Sequence, residues 1–392
     1  MVFIRCGGDI LPQSTATLIL NSYFCITLTL TLTSIYPLAC MKILYFTKYS
    51  RNAGSSRLRS FQYFPYFERR GITVEVSPLF SERYLHLLYS GRSTKKEAVK
   101  GYIKRFLKLF SLREYDRIVI EKELFPYLPP LAEGLLSTTK GYAVDYDDAI
   151  FHNYDQNANV IIRSILRNKI GLVMKWSKNV IAGNQYIADY AAGARAEKIT
   201  IIHTNPDLTK YQIIAQGTEP NDECIVGWIG NQSTYDRFVK PCKQLIIRAM
   251  EECGVKFHFI GCRDDSFVNK KVSFVEWTEE SEVASLLSLD IGIMPIPDSP
   301  FERGKCSFKL LQYMACSLPV IASPVGMNTQ VVENGVNGLL ASSDDEWVAA
   351  IRHLADNPAL RKEMGKRGRE YVIENFQMEQ SFNKLLHVIS TE

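Results

Sequence analysis

The chain has 392 residues, enough for two cores, with apolar, aromatic and charged fractions of 46%, 11% and 22% that are those of an ordinary soluble globular protein. Its 9 cysteines form no CxxC pair and only 6 histidines are present, which argues for a reducing, cytoplasmic compartment and against a structural zinc site. The net charge of +4 is split unevenly, with a basic excess in 41–220 and an acidic excess in 221–392, as expected of two domains that meet different partners.

Residues 1–40 read as standing outside the fold. Ala16 to Cys40 is apolar but studded with threonines and interrupted by Asn21 and Ser22. Met41 to Phe46 then reads as the opening strand of an α/β domain, so the expected start is Met41, with 1–40 an over-extended reading of the gene. The rival reading is a membrane anchor, since about 20 apolar residues span a bilayer. A cleaved signal peptide ranks last, because a cytosolic-looking domain follows at once.

From Met41 strand and helix signals alternate. Lys42–Thr47 reads as a strand, Lys48 to Ser56 as a polar loop, and Arg57 to Arg70 as one helix stopped by Gly71. Gly54 and Ser56 in that loop, with Arg57 and Arg59 behind it, form a candidate anion-binding edge; a plain βα turn is the commoner meaning of a single glycine. Thr94 to Phe110 reads as a basic amphipathic helix with Val99, Tyr102, Ile103, Phe106 and Phe110 on one side and lysines on the others. Two readings stay open for it: a solvated face, or docking on an anionic membrane from the inner face. Arg163 to Lys178, with Arg167, Lys169 and Lys175, is a second basic segment. No nucleic-acid-binding motif accompanies the charge, so nucleic acid is not expected as a partner.

The strand Ile118–Ile120 ends in Glu121-Lys122-Glu123, and Tyr142–Val144 ends in Asp145-Tyr146-Asp147-Asp148 with His152 just beyond. Carboxylates at the C-terminal end of a parallel strand project into the ligand crevice of an open sheet. Three acids so close repel, so a cation, sugar hydroxyls or a shared proton must accompany them. Helix capping by Asp147 or Asp148 is the blander alternative. A metal is not expected, because no histidine–carboxylate set surrounds them.

Residues 211–222 read as a linker, after which the alternation restarts. Ile225–Ile229 ends at Gly230-Asn231-Gln232-Ser233-Thr234, and Val272–Val275 ends at Glu276-Trp277. The segment Asp290 to Ser323 reads as strand, loop, helix, strand. Gly304 allows close backbone approach, the open N–H groups at the start of the helix suit an anion, and Lys309 and Gln312 share one helix face with Lys305 nearby. A diphosphate and its ribose would fit there; a surface helix with ordinary lysines is the alternative. The whole pattern implies two doubly wound domains with a cleft between their strand ends.

With these segments in place the chain resembles the family 4 retaining glycosyltransferases (glycosyl transferase group 1) of GT-B fold, most of all bacterial enzymes that assemble surface polysaccharides on a lipid carrier. The resemblance rests on Gly227 to Gly230, Glu276-Trp277, residues 290–298 and 304–315, Pro319 to Gly326 and Asn337-Gly338. In the first half it rests on Gly54 to Arg57, Asp145 to Asp148 and Val180 to Tyr186. It implies an acceptor-binding domain over 41–210, the linker, a donor-binding domain over 223–373, and a last helix from Glu374 to Ile389 crossing back to the first domain.

By position, the resemblance assigns the donor diphosphate to Gly304, Lys305 and Lys309, with Gly230, Asn231, Ser233 and Thr234 approaching from the other turn. Gln312 would meet the ribose, and Glu276 and Trp277 would border the base. Gly54, Ser56, Arg57, Arg59, Asp145 and Asp147 fall on the acceptor side, and Asp148 or His152 stands near the place of the catalytic group. No cofactor is implied beyond the nucleotide-diphosphate sugar, and no metal. The chain departs from the family pattern in one respect above all: the usual two glutamates eight residues apart are here Gly304 and Gln312, with Glu302 out of register. The Arg/Lys pair usual after the first donor strand is replaced by Asn231 to Thr234. These departures keep two alternatives in view, a non-catalytic nucleotide-sugar-binding partner protein and a GT-B sugar-nucleotide epimerase.

Overall fold

A computed structural model describes residues 41–211 and 223–391. The extension 1–40 and, of the linker expected over 211–222, residues 212–222 lie outside the described residues, while Tyr211 is buried in the core of the second domain. The inner strands are short, mostly apolar runs buried on both faces, as parallel strands covered by helices must be, while the strands towards the sheet edges are only partly buried. In the first domain these are β1 (Lys42–Phe46), β2 (Thr73–Val76), β3 (Arg117–Glu121), β4 (Ala143–Tyr146), β5 (Asn179–Ala182) and β6 (Ile199–Ile201). The second contains β7 (Ile225–Ile229), β8 (Lys256–Ile260), β9 (Val272–Val275), β10 (Ile291–Met294), β11 (Val320–Ala322) and β12 (Gly338–Leu340). All the ladders are parallel, in the orders β2-β1-β3-β4-β5-β6 and β12-β11-β10-β7-β8-β9.

The strand order reverses direction between β1 and β3 in one sheet and between β7 and β10 in the other. Loops leaving neighbouring strands at such a switch point go to opposite faces and leave a crevice at the strand ends. In the first domain that crevice receives the 47–56 loop and Glu121-Lys122; in the second it receives Gly230 to Thr234 and the 295–307 loop.

Two helices differ from the sequence expectation. The segment read as one helix from Arg57 to Arg70 is a helix Gly54–Arg59, a 3-10 turn Phe61–Tyr63 and a second helix Phe64–Arg69. Pro65 explains the break: lacking an N–H, it fits the first turn of a helix and not its interior. At the other end, Pro358–Asn375 and Met378–Ser390 are separate helices, and Phe376 at φ −126°, ψ 48° leaves helical geometry between them. This bend sends Met378–Ser390 onto the first domain. There Phe382 packs on Phe67 with ring centres 5.0 Å apart, and Arg117 Nε donates to the Ile389 carbonyl at 2.8 Å. Met378, Leu385 and Ile389 complete a core with Ile43, Tyr63 and Val119.

The helix Lys95–Lys108 is seated with its apolar side outward. It buries Gly101 and Arg105, while Ile103, Phe106 and Leu107, and Phe110 in the 3-10 turn that follows, are exposed. A Cβ at Gly101 would come within 2.0 Å of the Leu79 carbonyl oxygen, so the residue permits the close approach. Arg105 donates to the carbonyls of Leu124, Thr47 and Ser77, satisfying backbone acceptors at three loop ends. No helix among the described residues is long and apolar enough to cross a membrane.

Candidate functional site

The strand-end loops of the two sheets are in direct contact. Asn184, after β5, donates through Nδ2 to the carbonyls of Gly304 at 2.8 Å and Lys305 at 3.2 Å. Cys306 Sγ donates to the Asp147 carbonyl at 3.0 Å, and Lys305 Nζ is 3.5 Å from Asp148. Gly304 is required here, because a Cβ would meet Ala149 Cβ at 2.4 Å. Ser307, which precedes the helix Phe308–Ala315, holds φ 50°. That left-handed backbone is sparsely populated for a residue with a side chain. Its hydroxyl, bonded to Asn328 Oδ1 at 2.7 Å, helps fix the turn.

On the second-domain side the residues assigned to the diphosphate come together. Lys309 Nζ lies 5.3 Å from the Trp228 ring on β7, and Trp228 is also the side chain that a Cβ on Gly230 would strike. Lys305 Nζ lies 5.4 Å from the Phe238 ring. Lys309 has no acidic or hydrogen-bonding partner among the described residues. Burial, and next the Lys305 charge, push its ammonium down to about 8. Asn231 caps the short helix Gln232–Thr234, its Oδ1 accepting from the Thr234 N–H at 3.0 Å and from Ser233 Oγ at 2.9 Å. An unneutralised cation beside a helix start is a set of donors without an acceptor, which is what an anionic group requires.

Gln312 and Trp277 meet at a residue the sequence reading did not single out. Glu282 accepts from Gln312 Nε2 at 2.9 Å, from the Tyr211 hydroxyl at 3.1 Å and from Trp277 Nε1 at 2.8 Å. Arg57 reaches across from the first domain to 3.5 Å from the same carboxylate and lies 4.5 Å over the Trp277 ring. Arg57 is therefore engaged with the donor domain. Glu276 is exposed. Glu302 is buried and paired with Arg237 at 2.6 Å.

On the first-domain side the three acids have their cations. Arg59 and Asp145 are both buried and form a bidentate pair, Nε to Oδ2 at 3.2 Å with Nη2 to Oδ1 at 2.5 Å. The charge on Arg59, placed by sequence at an anion-binding edge, is thus spent inside the domain. Asp147 and Asp148 flank Lys122, whose Nζ is 2.9 Å from one and 3.8 Å from the other and which also donates to Ser55 Oγ. Burial works to lower Lys122, but Asp147, Asp148 and Glu121 outweigh it and raise its pKa. Burial works to raise Asp147, and Lys122 with Arg59 hold it down. Ser56 is buried and donates to Glu121 at 2.9 Å; burial raises that carboxyl to about 7. Gly54 opens its helix at the surface, where a Cβ would meet nothing.

Neither Asp147 nor Asp148 caps a helix. The next helix, His152–Asp155, is preceded by Phe151 and has no side-chain cap. His152 is held at both nitrogens, Nδ1 2.9 Å from Asp155 and Nε2 2.9 Å from the Tyr186 hydroxyl. No group of acids, histidines and cysteines suited to a metal occurs among the described residues. Lys122, Asn184 and Glu282 were missed because a strand-end lysine, an asparagine cap and a helix-start glutamate are common and carry no spacing signal.

Residues 223–357 match the profile of a family described as Glycosyl transferases group 1. An uncharacterized glycosyltransferase of Methanocaldococcus jannaschii is 24% identical over 260 residues, covering 59% of this chain and 65% of the relative's own length. The matched stretch is thus slightly less than two thirds of that relative. Among solved structures, sucrose-phosphate synthase from Thermosynechococcus elongatus superposes with a TM-score of 0.66 at 17% identity over 90% of this chain and 98% of its own. Anabaena HepE, solved in complex with UDP-glucose, gives 0.64 at 17% identity over 90% and 100%. At such identities the likeness is one of fold.

Proposed function

From the match of residues 223–357 to the glycosyl transferases group 1 and the GT-B fold of the chain, we propose that the protein is a retaining, family 4-like hexosyltransferase. It moves a sugar from a nucleotide-diphosphate donor to a glycan or lipid-linked acceptor in polysaccharide biosynthesis. The observation that carries this reading is Lys309, a half-buried ammonium with no ion-pair partner among the described residues, beside Lys305, Trp228 and the Gly230 turn. The likeness to HepE, solved with UDP-glucose, supports a nucleoside diphosphate as the anion. In this reading Lys305 and Lys309 stabilise the negative charge that develops on the leaving diphosphate, with no metal needed. The bond from the anomeric carbon to the diphosphate breaks as the acceptor oxygen bonds to that carbon from the same face. The acceptor's proton passes to the departing phosphate. Asp148 and His152 line the acceptor side, and the basic helix 95–108 meets an anionic membrane on its inner face.

A second reading is a nucleotide-sugar-binding partner without turnover. It is favoured by Gln312, whose amide hydrogens are engaged by Glu282 and Tyr211. Thermal unfolding of the full chain with UDP, GDP, ADP and CMP and their common sugar conjugates tests the site. A true ligand at about 100 times its dissociation constant stabilises by about 2.7 kcal/mol. One diphosphate is expected to shift the transition and to lose its effect in Lys305→Ala/Lys309→Ala. An unchanged shift in that variant refutes the site, and a ligand bound but never turned over with any acceptor leaves the partner reading standing.

A further inference from the structure

Resting on the transferase reading above, we propose that a cleft beside the helix Val160–Leu166 binds the phosphate of a lipid-linked acceptor, which the surrounding apolar surface receives from a bilayer. The cleft has a volume of about 470 Å³, and Val160, Arg163, Arg167, Asn168, Tyr190 and Asp155 are in its wall. Positions 160, 163 and 167 share one face of the helix, and Ile161 and Ile165 occupy the neighbouring arc. Those isoleucines are 69% and 67% exposed, so a basic cleft and a bare apolar strip lie side by side on one helix. That pairing matches an amphiphile with an anionic head.

The cations are free for such a head. Arg163 donates to the Asn157 carbonyl at 2.5 Å, and neither it nor Arg167 has an acidic partner among the described residues. The one carboxylate in the wall, Asp155, is turned to His152 at 2.9 Å. Guanidinium forks bind phosphate oxygens in pairs, and two arginines together suit a head of more than one negative charge, which a phosphate carries and a single carboxylate does not. Lys169, read from the sequence as part of this basic segment, is not available: it is buried and paired with Glu123 at 2.5 Å. Through Asp155 the cleft adjoins His152, and Tyr190 in its wall stacks on Phe151 with ring centres 3.6 Å apart. A head group held there lies beside the candidate acceptor residues.

The apolar surface continues beyond this helix. Among the described residues nearly all exposed large apolar side chains fall between 88 and 165, with Val268 and Ile373 the exceptions. Tyr102, on the outward-turned helix 95–108, donates to the Pro126 carbonyl at 2.6 Å. The Tyr127 N–H in turn donates to the Tyr154 hydroxyl at 3.1 Å. The exposed loop around Tyr127 and Leu128 therefore joins the basic helix to the helix His152–Asp155, whose last residue is in the cleft wall. Exposed lysines on 95–108 bordering Phe106 and Phe110 complement the negative surface of an anionic bilayer.

The test is calorimetric titration of the full chain with geranyl diphosphate and with inorganic pyrophosphate, beside the nucleotide identified above. Geranyl diphosphate should bind roughly tenfold or more tighter than pyrophosphate, since the chain buries apolar surface the free anion lacks. Arg163→Gln/Arg167→Gln should weaken it by roughly tenfold or more, the effect of losing charge-assisted bonds, with nucleotide affinity unchanged. Both side chains reach solvent or the cleft, so the variant keeps the core. Flotation with anionic vesicles should fall in Phe106→Ser/Phe110→Ser. Equal affinity for the two diphosphates, unchanged affinity in the arginine variant, no binding of geranyl diphosphate, or unchanged flotation overturns the proposal. Normal nucleotide binding with a silent geranyl diphosphate titration overturns the cleft alone, whereas failure of the nucleotide to bind overturns the donor site first.

Discussion

Lys309 has no ion-pair or hydrogen-bond partner among the described residues, the more distant Asp148 offsetting its charge only in part, and its pKa turns that into a pH dependence. Folding lowers the ammonium from its ordinary 10.5 to about 8. The folded chain therefore holds this proton less firmly than the unfolded one. The cost to stability is complete below about 8 and fades as pH rises towards the unfolded value. A bound diphosphate restores the proton's hold, so above about pH 8 binding must take up a proton. Donor affinity is expected to fall by up to about tenfold per unit from about pH 8 upward. Lys309→Met should bind roughly tenfold or more weakly and show no such slope. Titrations from about pH 7 to about pH 9.5 read both, and a flat profile for the unaltered protein contradicts the assignment. The lysines were legible in the sequence because a loop, a glycine and two cations at helical spacing stand in one continuous stretch. The Arg59–Asp145 pair was not, since its members are 86 residues apart and only the sheet order brings them together. An exposed-looking arginine in a loop-to-helix segment proved to be the counter-ion of a strand end.

At the scale of elements, hydrophobic periodicity located the helix over 95–108 but could not tell which side it buries. An apolar stripe normally faces the core. Here Gly101 and Arg105 face it instead, because the helix crosses close over Leu79 and its arginine closes open loop carbonyls. Gly101→Ala is expected to destabilise by about 1–3 kcal/mol, as overpacking does. Ile103→Ser, on the bare stripe, should change stability by less than about 0.5 kcal/mol. Urea unfolding compares the two; the reverse order would mean that the stripe is the buried side. The same limit explains the first helix of the chain, where an apolar pattern ran on past Pro65 and concealed a break that proline chemistry imposes.

For the whole molecule, the contact of Gly304 with Ala149 and of Asn184 with the Gly304 carbonyl makes the two domains close directly on one another. Gly304→Ala is expected to push the 304–306 loop off the first domain, enlarging the particle in solution scattering while the circular dichroism of its helices is unchanged. Unaltered dimensions would show that this contact does not set the closure. The two sheets themselves followed from alternating apolar runs and polar strand ends, since each βα unit carries its own pattern. Which loops touch across the domains did not, being a property of two surfaces and not of either segment.

The bend at Phe376 also bears on how the protein is made. Met378, Phe382, Leu385 and Ile389 belong to the core under β1 and β3, yet they leave the ribosome after the entire second domain. At about 5–20 residues per second, the first domain waits roughly ten to forty seconds for its missing wall. Until then the faces of Tyr66 and Phe67 that receive Phe382 are open to other chains and to chaperones. The domain translated first is thus the one completed last.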